Sequence, residues 1–305
     1  MRLTEAAVLA RIREVLPGGS GLTDDCGALP ATPPGQRLLV TTDLMESNQH
    51  FRMDWHPPDL LARKLLTVNL SDLDASGARP FGYTLTLALG PEIDGAWLEA
   101  FLEGLAAGSQ EAGVQVFGGD TIGRPSGLGL GLTAFGFATR WLGRDGLQPG
   151  DRIFVDQPPG ASLRGLRKLQ AGQRWDALRP DPDLKAHLDP EPNLGLGVKL
   201  AAMPEVHACL DLSDGLSRDL LNLAGASKVS IRVDAALDED ALQGGEDYAR
   251  CFGADLPQAE LERRLGQSLI PVGLVVEPGP APLLVYDGTG TRALPDLGFD
   301  HFAHD

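Results

Sequence analysis

Cysteine is scarce in this chain: three among 305 residues, Cys26, Cys209 and Cys251, odd in number and far apart. With no C-x-x-C pair, neither a disulfide framework nor a zinc site is indicated. No apolar run reaches the length of a membrane span, and Met1-Arg-Leu-Thr-Glu5 is no signal peptide. A cytoplasmic location is therefore expected. Basic residues are outnumbered, 26 against 42 acids, for a net charge of −16. That balance argues against a nucleic-acid backbone or an anionic membrane as partner. Phosphate-bearing substrates stay open, because divalent cations on clustered carboxylates reverse the local sign. Also missing are a G-x-x-x-x-G-K-[ST] P-loop and an H-R-D kinase loop. A nucleotide site here has to be of some other construction.

What is present is ordinary for a globular protein: 43% hydrophobic and 22% charged residues. The length suits two domains, with Arg144-Asp-Gly-Leu-Gln-Pro-Gly-Asp151 as the expected boundary, giving 1–143 and 144–305. In the first half, helix is expected over 4–16 and 96–108, and strand over 37–43, 81–89, 114–121 and 127–138. In the second, strands are expected at 152–156, 206–213, 229–233 and 269–276, with helices at 162–170 and 216–224. A hairpin over 282–294 closes the chain, and 172–193, rich in proline, is expected to be mostly irregular. Alternating strands and helices make the class α/β or α+β.

One stretch stands apart. Between Leu60 and Gly77, residues Leu61, Leu65, Leu66, Val68, Leu70 and Leu73 leave no wide polar face, so a helix buried nearly all round is expected. Asn69 and Asp72 share a face three residues apart. A carboxylate in such a helix needs a basic side chain or a metal ion to stay ionised. The phrase Asn69-Leu-Ser-Asp72 returns as Asp211-Leu-Ser-Asp214, too short a repeat to establish duplication.

Further acids fall at strand ends or helix starts: Asp24 and Asp25, Asp43, Asp120, Asp211 and Asp214. Each alone is explained as a cap or turn residue. Together with Thr41, Thr42 and Ser213 they form an oxygen-only ligand set, suited to magnesium or manganese rather than zinc. Glycines at Gly118-Gly119 would let a backbone approach a ligand, or simply make a tight turn. Several divalent ions beside glycine turns make a polyphosphate site, where catalysis is positioning and charge neutralisation.

These phrases, in this order, resemble the thiamine-monophosphate kinases of the aminoimidazole ribonucleotide synthetase superfamily. The matching stretches are Asp24-Asp25-Cys26, Thr41-Thr-Asp43 with His50-Phe51, Asn69-Leu-Ser-Asp72, Gly118-Gly-Asp-Thr121, Asp211-Leu-Ser-Asp-Gly-Leu216, Gly244-Gly-Glu-Asp-Tyr248 and Phe299-Asp-His-Phe302. The resemblance implies ATP-dependent phosphorylation of thiamine monophosphate to thiamine diphosphate. It implies an N-terminal α/β domain that binds ATP and metal and whose sheet pairs across a homodimer, followed by a C-terminal α/β domain. Magnesium ligands would be Asp25, Thr41, Thr42, Asp43, Asp72, Asp120, Asp211 and Asp214, with Asp43, Asp72, Asp120 and Asp214 central to metal-assisted catalysis. ATP would meet Gly119, Asp120, Arg144 and Ser213, and thiamine monophosphate would meet His50 and Glu246. Departures from the family pattern are Thr23 before the paired acids, Ile122-Gly123-Arg124 after Thr121, Ala249-Arg250 after Tyr248, and Asp296 where an aromatic is usual. That last carboxylate would attract the thiazolium cation. The alternatives within the superfamily are a purine-biosynthesis synthetase and a hydrogenase-maturation protein. The latter should end in a reactive cysteine, whereas this chain ends in Phe302-Ala-His-Asp305. A relative that binds nucleotide without catalysis is the alternative from another class.

Overall fold

The computed structural model describes residues 4–24, 26–233, 237–286 and 291–299. The calls at Asp25 and at 300–305, which include most of the terminal Phe-Asp-His-Phe phrase, lie outside them. The chain divides into two compact units, Met1–Leu73 with Ala78–Thr139, and Asp74–Gly77 with Arg140–Asp305. Among the described residues no helix is long and apolar enough to cross a membrane.

In the first unit, Thr4 caps helix α1 (Glu5–Val15), which buries Val8 and Ile12. The sheet holds β1 (Arg37–Glu46), β2 (Arg79–Leu89), β3 (Gln115–Gly123) and β4 (Leu128–Ala138) in the order β1-β4-β2-β3. β4 runs antiparallel to both neighbours, and β3 pairs parallel with β2. Period-two alternation decides which face is covered. Leu128, Leu130, Leu132 and Ala134 of β4 join Tyr83, Leu85 and Leu87 of β2 in one core with helices α2 (Pro58–Ala75) and α3 (Gly95–Ala112). The other face is open. Leu38, Val40 and Leu44 of β1 are 42%, 64% and 60% exposed, and Phe81 stacks on Phe135 and Phe137 with ring centroids 6.3 and 4.5 Å apart.

α2 is buried nearly all round, as its apolar positions require. Leu61, Leu65, Leu70 and Leu73 are each at most 2% exposed, each stabilising the fold by about 1.5–3 kcal/mol. The expectation about its acid needs correction. Asp72 is only half-buried, whereas Asp74 is fully buried. The last residues of α2, from Asp74 on, group with the second unit. There the Arg250 Nε donates to Asp74 Oδ2 at 2.8 Å, with both side chains 0% exposed. Of the two answers the helix demanded, a basic side chain is the one found for Asp74.

The second unit is built on a seven-stranded sheet in the order β11-β10-β7-β9-β5-β8-β6. Its strands are β5 (Arg152–Val155), β6 (Val206–Asp211), β7 (Ser230–Val233), β8 (Arg250–Ala254), β9 (Ile270–Val276), β10 (Leu283–Tyr286) and β11 (Thr291–Ala293). Only β10 and β7 pair parallel; every other neighbouring pair is antiparallel. Both faces are covered: Ile153, Val155, Leu210 and Cys251 sit in one core, Phe154, Cys209 and Phe252 in another. The helices are α4 (Ala161–Gln170), α5 (Pro182–Leu188), α6 (Leu196–Ala201), α7 (Leu216–Ser227), α8 (Glu239–Gln243) and α9 (Gln258–Leu265).

The stretch 172–193 is not simply irregular. Asp181 accepts from the Asp183 and Leu184 amides, and Pro182 opens α5 behind that cap. Strand β8, unexpected because Arg250 and Gly253 weaken its pattern, lies between β5 and β6.

Candidate active site

In the first unit the alternation of β1 sorts the expected ligands onto two faces. Thr41 and Asp43 point to the helix-covered side, where Thr41 Oγ1 donates to Asp72 Oδ2 at 2.7 Å. Thr42 turns to the open side and lies 3.0 Å from Thr133 Oγ1, donating also to the Leu132 carbonyl at 3.2 Å. Its hydroxyl is therefore not brought to Asp72. On β3, Asp120 is exposed opposite Thr86, with Oδ1 accepting the Thr121 amide at 2.9 Å. Gly119 admits no side chain, since a Cβ there would stand 1.9 Å from the Leu85 carbonyl. His50 follows β1 in a turn. Its Nδ1 accepts the Glu46 amide at 3.0 Å, which places the ring proton on Nε2. Arg124 pairs with Glu46 at 2.6 Å, so the departure after Thr121 returns to the end of β1.

In the second unit two loops are joined. β6 ends at Asp211, buried, and Leu212-Ser213-Asp214 turns into α7. Gly215 makes that turn at φ +108°, where a Cβ would also meet the Gln243 carbonyl at 2.7 Å. The Gly244-Gly-Glu-Asp-Tyr248 loop then lies along it. The Glu246 amide donates to the Ser213 carbonyl at 2.9 Å, and the Tyr248 amide to the Leu212 carbonyl at 2.8 Å. The Phe299 amide donates to the Asp214 carbonyl at 2.9 Å, bringing the tail to the same turn.

Asp219, in the first turn of α7, was not anticipated. Its Oδ2 accepts the Ser213 and Asp214 amides at 3.1 and 3.2 Å. Burial, then the charges of Asp214 and Asp211, push its carboxyl up to about 8, with Arg144 opposing. Arg144 itself is exposed, and its carbonyl accepts the Ser227 hydroxyl at 2.9 Å. Asp247, beside Glu246, is pushed up to about 6 by burial, although it accepts the Gly160 and Ser162 amides. Asp296 is not poised for a ligand alone: Arg218 pairs with it at 3.0 Å. Arg250 stands opposite Asp211 across the β6–β8 ladder and points into the core.

Among the described residues, no group of three or more His, Cys, Asp or Glu side chains is arranged to hold a metal ion. The donor chemistry nonetheless suits one. Asp219 is pushed up first by burial and then by the charges of Asp214 and Asp211, charges that a cation would relieve, and hydroxyl and carboxylate oxygens are what magnesium takes.

Residues 23–138 match the family described as AIR synthase related protein, N-terminal domain. The thiamine-monophosphate kinase of Escherichia coli K12 is 38% identical, covering 93% of this chain and 92% of its own length. The chain belongs to the thiamine-monophosphate kinase family. Among solved structures, the family's enzyme from Stenotrophomonas maltophilia K279a is 33% identical, with a TM-score of 0.76 over 94% of this chain and 98% of that one. A second family structure, AaThiL complexed with AMPPCP and TMP, is 25% identical with a TM-score of 0.77 over 99% of each chain.

Proposed function

We propose that this chain transfers the γ-phosphoryl group of ATP to the phosphate of thiamine monophosphate, giving thiamine diphosphate and ADP. The observation that carries this is the joining of two loops in the second unit. Ser213, expected on the ATP side and next to the expected metal ligand Asp214, accepts the backbone amide of Glu246, expected on the acceptor side. Two substrates meeting there suit group transfer better than hydrolysis of one.

Magnesium would be held by Asp43, Asp72 and Asp120, with Thr41, in the first unit, by Asp211 and Asp214 in the second, and by Asp25. Magnesium held by these residues would supply neutralisation of the phosphate charge. Thr41 steers Asp72 by its hydrogen bond, and Asp219 fixes the amides of Ser213 and Asp214. Gly119, whose missing side chain the Leu85 carbonyl requires, would meet ATP through its backbone, and Arg144 would supply an exposed cation for phosphate. Transfer is direct and in line, since metal positioning needs no phosphoenzyme. Residues 1–143 would form the ATP-binding and dimerisation domain and 144–305 the C-terminal domain. The open sheet face, with Val40, Leu44 and the Phe81–Phe135–Phe137 stack, is the surface a homodimer would cover. A dimeric mass by light scattering is expected, and a monomer at micromolar concentration would contradict it.

The test is ADP release with and without thiamine monophosphate, before and after EDTA. Release should depend on thiamine monophosphate, vanish with EDTA and return with magnesium. ADP release indifferent to thiamine monophosphate would overturn the substrate, and full activity in the chelated enzyme would overturn the metal.

A further inference from the structure

We propose that His187 is a positioning residue for the thiamine monophosphate subsite, acting by holding the carboxylate of Glu246. The inference rests on the proposed function for the role of Glu246 and adds the group that sets its geometry. Glu246 sits in left-handed backbone, φ +62°, and Tyr248 two residues on does too, at φ +51°. Neither is glycine, so the loop is held in a conformation that side chains disfavour and needs outside support. His187, 3% exposed in the last turn of α5, supplies it. Its Nδ1 lies 3.3 Å from Glu246 Oε2 and 3.0 Å from Ser162 Oγ, itself 1% exposed. Ser162 in turn donates its amide to Asp247 Oδ1 at 3.1 Å. The ring therefore joins α4, α5 and the Gly244–Tyr248 loop at one nitrogen.

A serine, a histidine and a glutamate together suggest a hydrolase triad, and the geometry rejects it. A triad uses both ring nitrogens, one for the nucleophile and one for the acid. Here serine and glutamate share Nδ1, and the serine is buried. What remains is orientation. A glutamate 29% exposed at its side chain can be reached from solvent while His187 holds its Oε2. A fixed carboxylate meets a cationic substrate without first losing its rotamer freedom, so binding is strengthened at constant chemistry.

The test compares His187→Leu with His187→Asn, whose amide nitrogen stands where Nδ1 stood. His187→Leu should raise KM for thiamine monophosphate about tenfold, the loss of one hydrogen bond to a charged group. KM for ATP and kcat should stay within about twofold, and His187→Asn should recover most of the loss. Equal rises in both KM values, or no rescue by Asn, would mark His187 as merely structural and overturn the proposal. A second readout needs no turnover. The His187 Nδ1 resonance in ¹⁵N-histidine-labelled protein should move on Glu246→Gln, and a fixed resonance would overturn the proposal too. If wild type does not turn over thiamine monophosphate at all, the functional reading fails, and the resonance alone decides whether His187 holds Glu246.

Discussion

The phrase that occurs twice has two structures. In the first unit Asn69-Leu-Ser-Asp72 is helix interior, with Asn69 donating to the Leu65 carbonyl at 3.0 Å and Asp72 reached from β1 by Thr41. In the second, Asp211-Leu-Ser-Asp214 is the end of a strand and the turn beyond it. Leu-Ser-Asp has no strong preference of its own, so the flanks decide. Leu65 to Ala75 carry the first copy straight through a helix, whereas Gly215 at φ +108° forces the second into a turn. The electrostatics differ as well. The helix acids are answered by donors, Thr41 at Asp72, and Arg250 with the Gly195 and Gly197 amides at Asp74. The turn brings Asp211 and Asp214 beside buried Asp219, whose carboxyl is pushed up by burial and then by their charges. In the helix the buried acid, Asp74, is neutralised by Arg250, whereas the turn sets Asp211 and Asp214 side by side.

The largest effect should come from breaking the helix acid's partner. Arg250→Leu strands the Asp74 carboxylate in the core, and about 3–5 kcal/mol of stability should be lost. Asp74→Ala with Arg250→Leu removes both charges and should recover most of that loss by chemical denaturation. A double variant as unstable as the single would show that Arg250 acts through other partners. Next, Asp72→Asn and Asp214→Asn should lower turnover about 10²–10³-fold while leaving the melting temperature nearly unchanged. Near wild-type turnover of either would make that aspartate a structural residue only.

The pH dependence separates the regions more gently. The native state keeps a proton on Asp247 that the unfolded chain releases near its ordinary carboxylate range. Native protons exceed unfolded ones between about pH 4 and 6, so stability falls as pH rises through that window, by about 2–3 kcal/mol. Asp219, held up to about 8, extends the decline toward neutrality. Asp247→Asn should flatten the lower part of the curve in urea titrations from pH 4 to 7, and an unchanged slope would contradict the assignment. The smallest effect is expected at Asp296. Because Arg218 already answers it, Asp296→Ala should change KM for thiamine monophosphate less than threefold at low salt. A larger rise would restore a direct attraction between this carboxylate and the thiazolium.

Much of the fold was legible because burial writes a period into the chain. The alternation in 81–89 and 127–138 and the apolar run around Leu65 each produced the element expected. α5 was hidden by the prolines around it, although Asp181-Pro182 carried a start signal: a capping acid before a proline. β8 was hidden because a buried arginine reads as a surface residue until Asp74 is seen beside it. For the site, the acids at strand ends could be named from the chain. Alternation alone turns Thr42 from Thr41, but which of the two faces the helices cover is decided by packing that one strand does not reveal. Asp219 and His187 were missed because each resembles an ordinary helix residue, and only folding brings their partners to them.

The central claim is transfer between two phosphates, and ³¹P NMR follows it directly in one tube of enzyme, ATP, thiamine monophosphate and magnesium. ADP and thiamine diphosphate signals should rise together in equal amounts, and neither should appear with Asp214→Asn. ADP rising without thiamine diphosphate, or thiamine diphosphate formed as fast by Asp214→Asn, would contradict the account.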